Sequence, residues 1–280
     1  MTITPFAELA CPLDGSALHN KGTSWQCSSG HSFDIARQGY VHLLPVQHKR
    51  SKHPGDNKDM VSARRRFLNA GFYQPIADAL VSAVFPENVS ETCISCLDAG
   101  CGEGYYLRYL ANNAPSTVHL TLMGLDISKW AVVSAAKQDK IPAWVVGSNA
   151  NLPVLPGTLD RIMCLFGFPV YPEFARVLRS GGEIVQVDAG PDHLRELREI
   201  IYPELKEPPP SIAAAPEGFT SMGTSLVRYS LSIPDKSAIA DMLAMTPHMY
   251  RAGAEGLARA AELESLAVTV QAVIRRLRKD

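Results

Sequence analysis

The sequence predicts an α/β protein, a parallel sheet with covering helices, preceded by a small module of different composition. Three observations predict it. From Cys93 onward, short apolar runs alternate with helical stretches, as strands joined by crossover helices do. Residues 1–45 are instead dense in Cys, His and Gly with few long apolar runs, as in a small fold that needs a staple. The 280 residues, 46% apolar and 20% charged, suffice for one α/β core with an appended module and exclude a mostly disordered chain.

Other classes are excluded early. No uncharged apolar run approaches about 18 residues, so no membrane-spanning helix and no membrane partner is expected. The opening stretch MTITPFAELACPLDG lacks the basic start and apolar run of a secretory signal. A reducing, cytoplasmic setting follows, in which the six cysteines serve metal binding, catalysis or packing rather than disulfides. The net charge of −1 says nothing about nucleic acid; its distribution says more.

The head, residues 1–45, carries two short knuckles, Cys11-Pro12-Leu13-Asp14-Gly15 and Cys27-Ser28-Ser29-Gly30-His31. Zinc favours four tetrahedral S and N ligands, and ligand pairs at short spacing let one turn supply two. Cys11, Cys27 and His31 are in register, with Asp14 in the fourth place and His19 as an alternative at an awkward spacing. A head that holds no metal is the competing reading.

Residues 46–85 form a basic linker and helices. Between 46 and 66 lie seven Lys and Arg against Asp56 and Asp59, a local excess of five positive charges. A helix is expected from about Asp59 and another after Pro75. The stretch from Lys49 to Arg66, with Arg64, Arg65 and Arg66 at its end, fits phosphate contacts or a solvated helix face.

Residues 86–280 form the α/β core. Strands are expected at CISCLD, LTLMGLD, PAWVVG, RIMCLF and GEIVQVD, with helices from about Glu103, Ser128, 172 and Asp192. A proline-rich break at 206–217 precedes a strand (218–232), a helix (235–245) and a last strand (265–276). The run Arg275–Lys279 reads as a solubilising tail. Cys93 and Cys96 fall on one strand at opposite faces, which favours packing over metal.

Asp98-Ala99-Gly100-Cys101-Gly102-Glu103-Gly104 is the strongest signal. Glycines let the backbone turn sharply and approach a ligand, and the next helix offers free N–H groups to an anion. The following strand ends in Asp126, whose carboxylate can accept both hydroxyls of a ribose. A strand, a glycine triad, a helix and an acidic strand end together point to a nucleoside-type ligand.

D-x-G-x-G-x-G resembles motif I of S-adenosylmethionine-dependent methyltransferases, which implies a Rossmann-like core. Gly147-Ser148-Asn149 and Leu152-Pro153 resemble that family's adenine-flanking loop, with Ser148 where many relatives have an acid. The whole pattern, C-P-L-x-G, C-x3-H-x-F-D-x-A-R-x-G-Y-V-x-L-L-P-V-Q-H-K-R-S, P-G-D, A-R-R-R-F-L-x-A-G-x-Y-x-P and L-D-x-G-C-G-E-G-Y-Y, resembles the bacterial 23S rRNA guanine-N1 methyltransferases. Glu-Gly-Tyr-Tyr is similar to the Gram-negative branch, which modifies guanine 745 in hairpin 35; a sister branch modifies a guanine three nucleotides on. The resemblance implies S-adenosylmethionine as cofactor, held around Tyr73, Asp98, Gly100, Gly102, Glu103, Gly104, Asp126, Ser148, Asn149 and His193. It implies one zinc in a zinc-ribbon-like RNA-recognition head at Cys11, Asp14, Cys27 and His31, with Asp14 standing where the family has cysteine. An rRNA hairpin is the expected partner, and a homodimer is compatible with it.

Methyl transfer to guanine N1 requires alignment and loss of the N1 proton. Asp188, at the end of the fifth strand, is a candidate acceptor. Gly167-Phe168-Pro169 are expected to line the target pocket, and Phe166, Phe168 and Tyr171 to stack on an unpaired base or to pack in the core. Two other readings are a small-molecule methyltransferase with a vestigial head and a non-catalytic RNA-binding module.

Overall fold

The computed structural model describes residues 2–45, 54–86, 92–205 and 214–280. In the head, β1 (Thr2–Pro5) is followed by β2 (His19–Asn20), β3 (Ser24–Gln26), β4 (Ser32–Asp34) and β5 (Tyr40–His42). Helices α1 (Lys58–Asn69) and α2 (Gln74–Val84) follow. The core then runs β6 (Cys93–Ala99), α3 (Tyr105–Asn113), β7 (His119–Asp126), α4 (Lys129–Gln138), β8 (Ala143–Val146), β9 (Leu159–Leu165), α5 (Tyr171–Val177), β10 (Leu178–Ala189) and α6 (Arg195–Ile201). It closes with β11 (Phe219–Ile233), α7 (Lys236–Ala244), α8 (His248–Arg251), α9 (Ala254–Ala261) and β12 (Leu266–Lys279).

The main sheet has the order β11-β12-β10-β9-β6-β7-β8-β5, with β1 also beside β7. Pairing is parallel from β10 to β5, while β12 runs antiparallel to both β10 and β11. The outer edge of β7 is divided: β1 pairs along His119–Leu122 and β8 along Met123–Asp126. Among the described residues, β2, β3 and β4 form a separate ribbon. The head therefore enters and leaves through strands of the main sheet. Both strands are short and rich in β-branched or aromatic residues, too brief to show a periodicity.

This insertion explains how the second face of the sheet is covered. On one face, Ile76, Leu80, Leu107, Leu110, Val132 and Ala135 of the helices belong to one buried cluster with Leu120, Leu122, Val185 and Val187 of the strands. On the other, Phe6, Leu9 and Leu43 of the head join Phe174 and Val177 over Leu97, Leu125 and Val145. Phe6 is 1% exposed, and burying such a ring contributes about 1.5–3 kcal/mol. The head is thus part of the core's hydrophobic interior.

Caps set the helix starts. The Asn57 side chain accepts from the N–H groups of Asp59 and Met60, Ser128 from Ala131, and Asp235 from Ala238. Cys96 is buried, as core packing requires, whereas Cys93, at the start of β6, is exposed and does not pack in the core. The last strand continues through Lys279, so the basic run is no tail. Arg276 pairs with Glu183 at 2.8 Å and Lys279 donates to the Leu178 carbonyl. Helices α8 and α9 have no counterpart in the sequence reading, because Gly253 and Gly256 weaken the helical pattern there. Gly256 has a packing reason: a Cβ on it would lie 2.0 Å from the Ile201 carbonyl oxygen, where α9 crosses α6. Gly256→Ala is expected to lower stability by about 1–3 kcal/mol, measured by thermal unfolding, with the far-UV spectrum at low temperature unchanged.

Candidate functional site

The loop after β6 turns on three glycines with left-handed backbone, Gly100 (φ 98°), Gly102 (φ 57°) and Gly104 (φ 84°). A Cβ on Gly104 would meet the Trp144 ring at 2.6 Å, so α3 can approach β8 only through glycine. The N–H groups of Gly100 and Cys101 donate to the Leu125 carbonyl at 2.8 and 2.9 Å. The Asp126 carboxylate accepts from Gly102 N–H at 2.9 Å and from Ser128 N–H at 2.7 Å. Each oxygen keeps a second lone pair, so Asp126 can still receive ligand hydroxyls.

Asp98 lies beneath this loop, 1% exposed, with neither carboxylate oxygen partnered. Burial, reinforced by the Asp126 charge, pushes its carboxyl up to about 8. A buried acceptor without a donor marks a place where a cationic or donor group fits. Glu103 differs from the simple expectation: its side chain is buried away from the loop mouth, held by Arg108 at 3.0 Å and Gln138 at 2.7 Å. Any ligand contact there falls to its backbone.

Ser148 receives the Ala150 N–H at 3.2 Å in the loop after β8. The Asn149 amide nitrogen donates at 3.4 Å to the carbonyls of Ala99 and Phe168, while its amide oxygen is buried without a partner. Asn149 thus bridges the ends of β6 and β9.

Tyr73 and His193 meet across the site mouth with Oη and Nε2 3.1 Å apart. The Gln271 backbone N–H donates to His193 Nδ1 at 3.2 Å. A neutral imidazole accepting on Nδ1 carries its proton on Nε2, which then donates to Tyr73 Oη. Burial drives the His193 pKa down to about 4, so the ring is neutral at physiological pH. Phe166, in a left-handed conformation (φ 51°), sets its ring 5.8 Å from His193 and 6.3 Å from Tyr73. Phe168 is 87% exposed, which excludes a core role for it. Tyr171 is engaged within the fold, donating to Gln186 Oε1 at 2.8 Å. Asp188 lies on that same face of β10, accepting from Gln186 at 2.7 Å with Arg275 at 3.9 Å. Burial raises its proton affinity.

The head gathers Cys11, Asp14, Cys27 and His31, whose donor atoms all lie within 4.8 Å of one another. His31 Nδ1 is 3.4 Å from Cys11 Sγ, 3.3 Å from Cys27 Sγ and 3.2 Å from Asp14 Oδ2; Cys27 Sγ is 3.7 Å from Asp14 Oδ2. Bonds of about 2.0–2.3 Å to a tetrahedral ion give edges of about 3.3–3.8 Å, so the donors are spaced for one. Asp14 Oδ1 is taken by the Ser16 N–H and hydroxyl at 3.0 and 2.6 Å, which leaves Oδ2 facing the cluster. Those bonds hold the carboxyl well below its ordinary range. His19 sits exposed on β2, outside the group.

Residues 9–52 match the family described as "RlmA, N-terminal", and residues 97–186 match "Methyltransferase domain". The chain is 30% identical over 272 residues to YxjB of Bacillus subtilis, provisionally named a 23S rRNA (guanine-N(1)-)-methyltransferase, covering 95% of each chain. It is 32% identical over 287 residues to a Micromonospora griseorubida protein under the same provisional name, again 95% of each. With the Streptomyces fradiae 23S rRNA (guanine(748)-N(1))-methyltransferase it shares 30% over 256 residues, 90% of this chain and 89% of that one. The chain belongs to the 23S rRNA (guanine-N1)-methyltransferase family.

For a member of this family, the basic cluster is placed differently from the sequence reading. Arg64 is ion-paired with Asp56 and donates to the Met245 carbonyl at 3.0 Å. Arg66 grips Asp241 through two bonds, joining α1 to α7, and only Arg65 of the three is free of such a strut. Charge alone cannot separate phosphate contacts from internal ion pairs. Lys49, Arg50 and Lys52 lie outside the described residues. The sequence also gave no sign that Pro54–Asp56 straps the end of β7. There Ser128 donates to the Asp56 carbonyl at 2.6 Å, and a Cβ on Gly55 would meet Ser128 N at 3.0 Å.

The tautomer of His193 is directly observable. In long-range ¹H–¹⁵N spectra its ring should remain neutral and protonated on Nε2 from pH 8 down to about pH 4, whereas an ordinary exposed imidazole titrates near ~6.5.

Proposed function

We propose that this chain transfers a methyl group from S-adenosylmethionine to N1 of guanine 745 in a 23S rRNA hairpin, in the cytoplasm. The observation that carries the rRNA reading is the extent of the similarity, which runs through the head as well as the core. A Thermotoga maritima demethylmenaquinone methyltransferase, by contrast, covers only 44% of this chain. Four donor atoms within 4.8 Å of one another favour a head that still binds a metal over a vestigial one.

The residues at the strand ends suit this cofactor. Asp126 would accept the ribose hydroxyls, and Gly100, Gly102, the backbone of Glu103 and Gly104 would let the nucleoside approach the loop. Ser148 and Asn149 would border the adenine. Asp98, buried and unpartnered, fits the ammonium of the methionyl end. When bound, S-adenosylmethionine supplies an already activated methyl on a sulfonium, so the chain's own work is alignment, exclusion of water and removal of a proton. His193, neutral, orients the Tyr73 hydroxyl rather than taking a proton itself. Phe168, exposed at the mouth, would stack on the unpaired guanine, whose Watson–Crick edge must be free. Asp188, at the carboxyl end of β10, is the acceptor we assign to the N1 proton; its partial burial raises its basicity.

The sister position, three nucleotides on, is the second reading, favoured by the name of the Streptomyces fradiae relative. Incubation with S-adenosylmethionine and 23S rRNA lacking the modification, followed by mapping of the methylated base, decides between them. Methylation at 745 is expected. Transfer to the second site moves the assignment, and transfer to small acceptors but not to RNA overturns the rRNA reading.

Zinc is the metal we assign to Cys11, Asp14, Cys27 and His31. Aspartate keeps the fourth position anionic but is a harder ligand than thiolate, so affinity should be lower than for a Cys3His site. Elemental analysis of protein purified without chelators should give near-stoichiometric zinc. Asp14→Cys should hold it through higher chelator concentrations. A folded head containing no metal would show that the site has been lost.

A further inference from the structure

We infer that Arg64, Tyr106 and Tyr73 form the subsite for the α-carboxylate of the methionyl end, a role that rests on the S-adenosylmethionine reading above. Arg64 reaches the glycine loop from α1: its Cδ and one guanidinium nitrogen lie 3.6 Å from where a Cβ on Gly102 would stand. Its bonds to Asp56 and to the Met245 carbonyl fix its position. A guanidinium has five N–H groups, so donors remain.

Tyr106 occupies the first turn of α3, directly after the loop. It is 9% exposed, and its hydroxyl is buried without a hydrogen-bond partner. Tyr73, Tyr105, Tyr229 and Arg64 are the groups whose charge it feels. The third donor follows from the histidine tautomer. Because His193 Nε2–H donates to Tyr73 Oη, the hydroxyl hydrogen of Tyr73 is left for another acceptor.

Tyr106 and Tyr73 thus offer free hydroxyl hydrogens, and Arg64, which already holds Asp56 and the Met245 carbonyl, offers its remaining N–H groups beside Gly102 of the glycine loop. The mirror-image deficit lies below the same loop, where both Asp98 oxygens lack a donor. An amino-acid zwitterion satisfies both at once, its carboxylate on the donors and its ammonium on Asp98. Arg64, expected from sequence to meet an RNA phosphate, is by this reading a cofactor residue.

Calorimetric titration of the full chain with two probes tests this. S-adenosylhomocysteine carries the carboxylate and ammonium; 5′-deoxy-5′-methylthioadenosine carries neither. Arg64→Gln should weaken S-adenosylhomocysteine roughly tenfold or more, and Tyr106→Phe, which keeps the ring and its packing, about fivefold. Both should bind methylthioadenosine as the unmodified chain does, and Arg64→Lys should recover part of the loss. Equal weakening of the two probes, or unchanged S-adenosylhomocysteine affinity, overturns the subsite. So does a loss of rRNA affinity in Arg64→Gln with S-adenosylhomocysteine binding intact, which would return Arg64 to phosphate contact. If the unmodified chain binds neither probe, the cofactor reading itself falls.

Discussion

The carboxylate of Asp126 is shared between the N–H of Gly102 and the N–H of Ser128, and the arrangement of the strand ends depends on that sharing. One bond holds the glycine loop down against β7. The other fixes the first turn of α4, whose cap, Ser128, in turn holds the Asp56 carbonyl. Through Asp56 the chain reaches Arg64 and the carboxyl end of α7. A single acid therefore registers a loop, a strand, a helix and the strap leading into α1. The acid is itself costly, since burial raises its proton affinity and the nearby Asp56 adds to that, while two N–H bonds and Arg64 oppose it.

The strand ends carry two kinds of polar group. Asp126 and His193 are satisfied within the fold and act as struts, while Glu103 is held through one carboxylate oxygen and its other is buried without a partner. Asp98, Tyr106 and the Asn149 oxygen are buried and unsatisfied. Folding alone does not favour leaving such atoms without partners. Their concentration at the carboxyl ends of β6 and β8 and at the start of α3 is the physical trace of a ligand site, at the edge where open α/β sheets bind.

Much of this was legible in the sequence. The alternation after Cys93 marks the five central strands, because buried parallel strands read as short apolar runs. The glycine triad and the acid ending β7 carry their own geometry, and the knuckles in the head are set by turn chemistry. What escaped the sequence depends on long-range partners. β1 and β5 are too short to show a period, and their place in the sheet follows only from the free edges of β7 and β8. Gly256 looks like a helix breaker until Ile201 is seen against it. Arg64 and Arg66 read as phosphate contacts or solvated charge because Asp56 and Asp241, which hold them, are acids that no spacing rule selects. The inward turn of Glu103 depends on Arg108 and Gln138 in the same way.

The division of the β7 edge also bears on the order in which the chain assembles. Thr4 bonds Thr121 across a separation of 117 residues. A growing polypeptide adds about 5–20 residues per second, so β1 waits roughly 6–23 s for its partner to be made. Throughout that interval Phe6 and Leu9 have no sheet to cover, and the ribbon between β1 and β5 hangs from unpaired ends. This stretch, made before the strands it joins, is among the last to find its place. The aliphatic surface it is meant to seal becomes available only after β8 has emerged.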